Sequence, residues 1–155
     1  MHEEFLQQAI ALAADNVRSG QGGPYGAVIV KDKQLIAASV NKVTGTLDPT
    51  AHAEISAIRL ACLKLHDFQL HDCILYTSCE PCPMCLGAIY WARLAKVYYA
   101  CSRFDAAAAH FDDSFIYDEI LVPPSERRIA MLHLNLPTAL QPFQLWAKKS
   151  DKVVY

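Results

Sequence analysis

The stretch that most constrains this chain is Thr77-Ser78-Cys79-Glu80-Pro81-Cys82-Pro83-Met84-Cys85, taken together with His52-Ala53-Glu54 about one helix and one strand upstream. Two cysteines with two residues between them can put both sulfurs on one metal ion. Pro83 suits the first turn of a helix, and Cys82 and Cys85, three apart, then face the same side. His52 offers a third ligand and Glu54 a carboxylate beside it. Along a helix, residues two apart point about 200° away from one another, so His52 and Glu54 share a site only at a helix tip. The spacing therefore predicts a metal held between the N-termini of two helices, one starting near Ala51 and one near Pro83.

Electrostatics favour that placement. Two thiolates and a neutral imidazole cancel the charge of Zn²⁺, and two helix N-termini, each equivalent to roughly half a positive charge, restore a positive potential and lower the thiol pKa. Three protein ligands leave a fourth position for water, as in catalytic rather than structural zinc sites. Glu54 is then placed to take that water's proton. His-Ala-Glu alone and a single CxxC are each weak signals. The competing reading is a zinc-stabilised binding module without turnover, with Cys79 as fourth ligand. Pro81 between Cys79 and Cys82 makes a poor knuckle, and a structural site leaves Glu54 without a role.

With 155 residues the chain is long enough for one domain, 1–155, with a core that needs no staples. Fourteen basic and sixteen acidic residues give a net charge of −2. A structured nucleic-acid partner would call for a basic face, and the basic clusters Arg127-Arg128 and Lys148-Lys149 read as solvated surface. No nucleic acid is expected as partner. No apolar run approaches the ~18 residues of a membrane span, so no membrane partner is expected either. The start Met1-His2-Glu3-Glu4 lacks the basic flank and apolar core of a signal peptide, which makes the cytoplasm the expected location. The six cysteines are then thiols, metal ligands or core fillers rather than a disulfide framework; Cys62 and Cys73, in apolar surroundings, read as buried. His110 and His133 read as packed or solvated, and His2, His66 and His71 as surface positions.

Periodicity organises the rest. Apolar residues Phe5, Leu6, Ala9, Ile10, Leu12, Ala13 and Val17 recur at helical spacing over 3–19, and Gly20 can end that helix in a left-handed conformation. The glycine-rich run Gly20-Gln21-Gly22-Gly23-Pro24-Tyr25-Gly26 precedes a strand and lacks a Lys-Ser/Thr pair, so it is no phosphate loop; it reads as close approach of backbone and Tyr25 to a ligand. Residues 27–30 and 35–40 around Lys31-Asp32-Lys33 predict a β-hairpin. A loop over 42–50 leads to a helix over 51–65, with Thr50 as a cap. Residues 73–77 predict a strand buried on both faces, followed by a helix from Pro83 to about Arg93 and a strand over 96–100. Beyond Cys101 the pattern suggests a short helix at 106–109, a further element at 116–121, a strand at 129–136 and a helix at 143–149. The order predicts an α/β fold, a three-layer α/β/α arrangement around a central mixed sheet of about five strands.

With these residues in hand, the chain resembles the cytidine deaminase-like zinc deaminases, whose H-x-E and P-C-x-x-C signature it carries. Within them it is similar to the small bacterial guanine deaminases. The resemblance extends over Gly22-Gly23-Pro24-Tyr25-Gly26-Ala27-Val28-Ile29-Val30, Asn41, Asp48-Pro49-Thr50-Ala51-His52-Ala53-Glu54, Leu86-Gly87-Ala88-Ile89-Tyr90-Trp91-Ala92-Arg93, Phe111-Asp112-Asp113-Ser114-Phe115-Ile116-Tyr117 and the terminal Tyr155. It implies hydrolysis of guanine to xanthine and ammonia, with one zinc per chain on His52, Cys82 and Cys85. Zinc-bound hydroxide would attack C2, and Glu54 would relay protons. It implies that Asn41, backbone near Ala53, and Asp113 meet the purine edge, Asp113 also assisting as a second proton carrier. Tyr25 stands where the family tends to have Phe, Trp91 lines the pocket, and Tyr155 covers a partner's site in a homodimer that swaps the C-terminal segment, about 137–155. Its rivals are a tRNA adenosine deaminase and a cytosine-type free-base deaminase. Bland roles stand beside these: Asp113 as a helix cap, Trp91 as core, Asn41 as a strand-end turn residue, Tyr155 as a frayed end.

Overall fold

In the computed structural model, which describes residues 1–155, the first helix, α1 (His2–Arg18), carries a polar outer face and turns Ala9, Ala13 and Asn16 inward. Gly20, at φ +68°, stops it, since a left-handed residue beyond a helix end favours glycine. Strands β1 (Gly26–Lys31) and β2 (Gln34–Val40) then form the expected antiparallel hairpin. Asp32 and Lys33 both take positive φ, 49° and 66°, the turn whose twist matches that of the flanking strands.

A short helix, α2 (Val43–Thr46), occupies the loop after β2. Helix α3 (Ala53–Leu65) leads to strand β3 (Ile74–Cys79), and helix α4 (Pro83–Trp91) to strand β4 (Lys96–Cys101). The sheet order is β2-β1-β3-β4, with β1 antiparallel to both β2 and β3, and β3 parallel to β4.

Alternation along β1 and β3 separates two cores. Ala27, Ile29 and Leu75 pack with Ala57, Ile58 and Ala61 of α3 and Ile89 of α4. Val28, Val30 and Tyr76 face the other way, against Phe5, Leu6 and Leu12 of α1. The central strands are thus mostly apolar because both faces are covered, with Thr77 and Ser78 buried among them, giving the three layers that the element order predicts. Close passage of α1 sets a hard limit at Gly26, where an added Cβ would lie 2.3 Å from the Ala9 carbonyl oxygen. Ile29 is fully buried, and truncating it to Ala would cost about 2–5 kcal/mol.

The sheet has four strands, not about five. Residues 132–136 alternate in polarity as a strand would, but the 129–136 segment pairs with no other strand and is exposed. Period-two alternation reports only a two-sided extended segment, whereas a strand also needs a neighbouring backbone to complete its hydrogen bonds.

The chain divides into two compact units, Met1–Asp113 and Ser114–Tyr155. The first ends with α5 (Arg103–Ala108), opened by a capping box in which Ser102 and Asp105 satisfy each other's backbone N–H groups. The second contains α6 (Ser114–Leu121), a 3-10 turn at Pro124–Glu126 and α7 (Gln141–Lys148). Within it, Arg127 donates to the carbonyls of Val122 (3.1 Å) and Ile120 (3.4 Å), tying down the end of α6. No residue of this unit is buried. No helix of the chain is long and apolar enough to cross a membrane.

Candidate active site

Two helix starts build the site. His52 is the N-cap of α3 and Cys82 the N-cap of α4, both in extended backbone conformation (ψ 158° and 168°). An N-cap residue steps off the helix spiral, which resolves the opposition between His52 and Glu54 expected from helical spacing. Helix α3 therefore begins at Ala53, two residues later than the sequence suggests. Thr50 does not cap it: its N–H and hydroxyl bond to Asp48 Oδ1 at 2.8 and 2.7 Å.

His52 Nδ1 lies 3.5 Å from the sulfurs of both Cys82 and Cys85, and the three donor atoms all lie within 4.8 Å of one another. Tetrahedral zinc, with nitrogen at ~2.05 Å and sulfur at ~2.3 Å, would separate nitrogen from sulfur by about 3.6 Å. The donor set and its spacing fit zinc. Cys79 stays out of it. Its buried thiol donates to the Ser102 carbonyl (3.5 Å), and burial pushes its pKa up to about 11, so the fourth protein ligand that a closed structural site needs is missing.

The two ligand cysteines are electrically unequal. The hydrogen bond from Cys85, against the opposing effect of burial and with help from His52, holds Cys82 down at about 4. That same bond, together with burial, drives Cys85 well above the ordinary thiol range. The pair is poised to lose one further proton to a divalent cation. His52 is raised, first by its bond to Cys82. Glu54, 4% exposed, has its carboxyl raised by burial, which suits a group that must hold a proton during a reaction.

Tyr25 and Asp113 join this cluster. Burial, then the charges of Cys79, Glu54, Asp113 and Cys82, keep the Tyr25 phenol protonated, and its ring meets Phe111 edge-on at 5.3 Å. Burial and the Cys82 charge raise the Asp113 carboxyl. Asn41 is buried at the end of β2; its N–H donates to the Tyr25 carbonyl (3.0 Å) and its Oδ1 accepts from the Val43 N–H (3.2 Å). Ala53 is buried between His52 and Glu54. Trp91 ends α4 and is 64% exposed, so it is not core. Nine residues of helix separate it from Cys82 by about 13 Å. Tyr155 is exposed within the second unit.

Three supporting residues escape sequence reasoning. Ser78 Oγ accepts the Gly26 N–H (3.0 Å), Glu80 Oε2 accepts the Arg103 N–H (3.0 Å), and Asn16 bonds to two loop carbonyls. Only Asn16 leaves a trace in the sequence, as a polar residue on the stripe of Ala9 and Ala13.

Residues 1–101 match the cytidine and deoxycytidylate deaminase zinc-binding region. The chain belongs to this zinc deaminase family. Among its relatives, guanine deaminase of Bacillus subtilis (strain 168) is 58% identical over 154 residues, covering 99% of either chain. The crystal structure of guanine deaminase from Bacillus subtilis superposes with a TM-score of 0.99 at 57% identity, over 100% of this chain and 99% of that one. A tRNA-specific adenosine deaminase of Aquifex aeolicus is 41% identical over 98 residues, 63% of this chain and 64% of the relative. The zinc deaminase family thus accounts for the cytidine deaminase-like fold and for the His52, Cys82 and Cys85 donor set.

Proposed function

We propose that this zinc deaminase hydrolyses guanine to xanthine and ammonia. The observation that carries the reaction class is the convergence of His52, Cys82 and Cys85 within 4.8 Å beside the buried carboxyl of Glu54. Likeness to a guanine deaminase over 99% of both chains supports guanine as the base, against tRNA deaminase likenesses over 63% and 73% of this chain at lower identity. Free-base deamination is a step of purine breakdown.

His52, Cys82 and Cys85 would hold zinc, which when bound would supply Lewis acidity, enough to bring the pKa of a water from about 16 toward about 7. Glu54 accepts one proton of the attacking water and delivers it to the ring nitrogen N3 as C2–O forms; it then takes the second proton, from the C2 hydroxyl, and hands it to the amine, so that C2=O is left as C2–N breaks and ammonia departs. Burial favours the protonated form of the Glu54 carboxyl, as holding a proton between those transfers requires. Asn41, the backbone at Ala53 and the Asp113 carboxylate meet the polar edge of the base, Asp113 serving also as second proton carrier. Tyr25 supplies an aromatic face.

A homodimer completes this reading. A segment of 42 residues, 114–155, with no buried residue and with Leu132, Leu134, Leu136, Phe143 and Leu145 exposed leaves much apolar surface for a second copy to cover. Exchange of the segment from about 137 to Tyr155 would bring Tyr155 to the partner's site. The six free cysteines suit the reducing cytoplasm.

The test is an ammonia-release panel over guanine, adenine, cytosine, guanosine and tRNA. Release from guanine is the expected result. Preference for adenosine in tRNA, or for cytosine, would overturn the substrate assignment and leave the metal chemistry standing.

A further inference from the structure

We infer that Asn16, on α1 and outside the metal cluster, is the positioning residue that holds the purine-recognition loop in register. The inference rests on the roles proposed above for Tyr25 and Asn41. Asn16 is 3% exposed and occupies the inward stripe of α1 where Ala13 and Ala9 stand one and two turns earlier. Its side-chain amide donates to the Gly23 carbonyl at 2.8 Å and to the Asn41 carbonyl at 2.9 Å. With both neighbours acceptors, the amide orientation is decided. Its Oδ1 has no partner within the chain, so packing alone does not account for a polar residue here.

The two carbonyls belong to segments 18 residues apart in the chain, Gly23 in the loop before β1 and Asn41 after the end of β2. Gly23 lies two residues before Tyr25, and the Asn41 N–H donates to the Tyr25 carbonyl. Gly22 passes so near that an added Cβ would lie 2.9 Å from Asn16 Nδ2. One amide therefore links the loop bearing the aromatic face to the strand end bearing the edge-reading amide. The hydrogen bonds from Asn16 go to the backbone carbonyls of Gly23 and Asn41, so it acts on the loop and the strand end through their backbone.

The test compares guanine kinetics, zinc content and thermal midpoint for Asn16→Leu (no donor), Asn16→Asp (acceptors only) and Asn16→Ser (one donor). Losing two neutral hydrogen bonds should raise KM about tenfold in Asn16→Leu. Zinc stays at one per chain and kcat within about twofold, the pattern of lost uniform binding. Asn16→Asp should be at least as impaired as Asn16→Leu, and Asn16→Ser should fall between Asn16→Leu and the wild type. A lowered thermal midpoint with unchanged KM in Asn16→Leu or Asn16→Ser would overturn the inference, leaving Asn16 a structural residue. Should Asn16→Leu fail to fold, Asn16→Ser decides. Wild-type inactivity on guanine sinks the functional reading instead, and the same comparison then runs on whichever base the wild type deaminates.

Discussion

A Cβ added to Gly22 would stand 2.2 Å from the carbonyl oxygen of Asn41. The contact is with backbone, and the same oxygen accepts from Asn16, so the strand end has little room to yield. Gly22→Ala should displace Asn41 and cost about 1–3 kcal/mol, as overpacking does. Guanine KM should rise with zinc content unchanged; a variant with wild-type KM would show that Asn41 does not read the base from this position.

Glu54→Gln keeps the shape of the buried side chain and removes the proton carrier. It should retain one zinc per chain by metal analysis and lose about 100- to 10,000-fold in ammonia release. Near-normal turnover with full zinc would remove Glu54 from the proton path.

The cysteines should separate cleanly. Cys85→Ser should lose zinc and activity together, because hydroxyl is a poor replacement for thiolate at zinc. Cys79→Ser, with its hydroxyl still able to donate to the Ser102 carbonyl, should keep one zinc per chain. Zinc loss in Cys79→Ser would reinstate a four-ligand structural site.

Acid stability should depend on Asp105. Its carboxylate is lowered by hydrogen bonds from the Ser102 side chain and backbone. A lowered folded-state pKa contributes stability present above the unfolded value of about 3.9 and lost as pH falls through the folded value. The thermal midpoint of wild type should therefore exceed that of Asp105→Asn at neutral pH, and the gap should close on acidification below about pH 4. A gap that persists to pH 2 would show that the carboxylate's charge is not what matters.

Removing Tyr155 should lower activity far more than stability, by about tenfold or more if its ring and hydroxyl close a partner's site. Unchanged ammonia release from a chain ending at residue 154 would reject the lid role. A monomeric mass in solution at assay concentration would reject the dimer itself.

The legible parts were those with local causes. Alternating apolar residues over 27–30 and 35–40 around Lys31-Asp32-Lys33 are enough for the hairpin, because the two left-handed turn residues and the strand period act over neighbours. The nearly all-apolar 73–77 run correctly marks a central strand covered by helices on both faces. Residues 129–136 misled because a strand exists only with a partner, which no local pattern supplies. Thr50 misled because a capping side chain competes with Asx-type bonding, and Asp48, two residues before it, claimed its N–H and hydroxyl.

The donor types, their CxxC spacing and the accompanying His-x-Glu were enough to specify a zinc site with a carboxylate beside it, since ligand chemistry belongs to the side chains themselves. What folding added was unequal protonation and register. His52 and Cys82 meet because both cap helices packed on one face of the same sheet, 30 residues apart in the chain. The burial that raises Glu54 and the bond from His52 that helps to lower Cys82 depend on neighbours far off in sequence. So does the amide of Asn16 between Gly23 and Asn41, because desolvation and hydrogen-bond partnership are properties of the packed interior rather than of residue order.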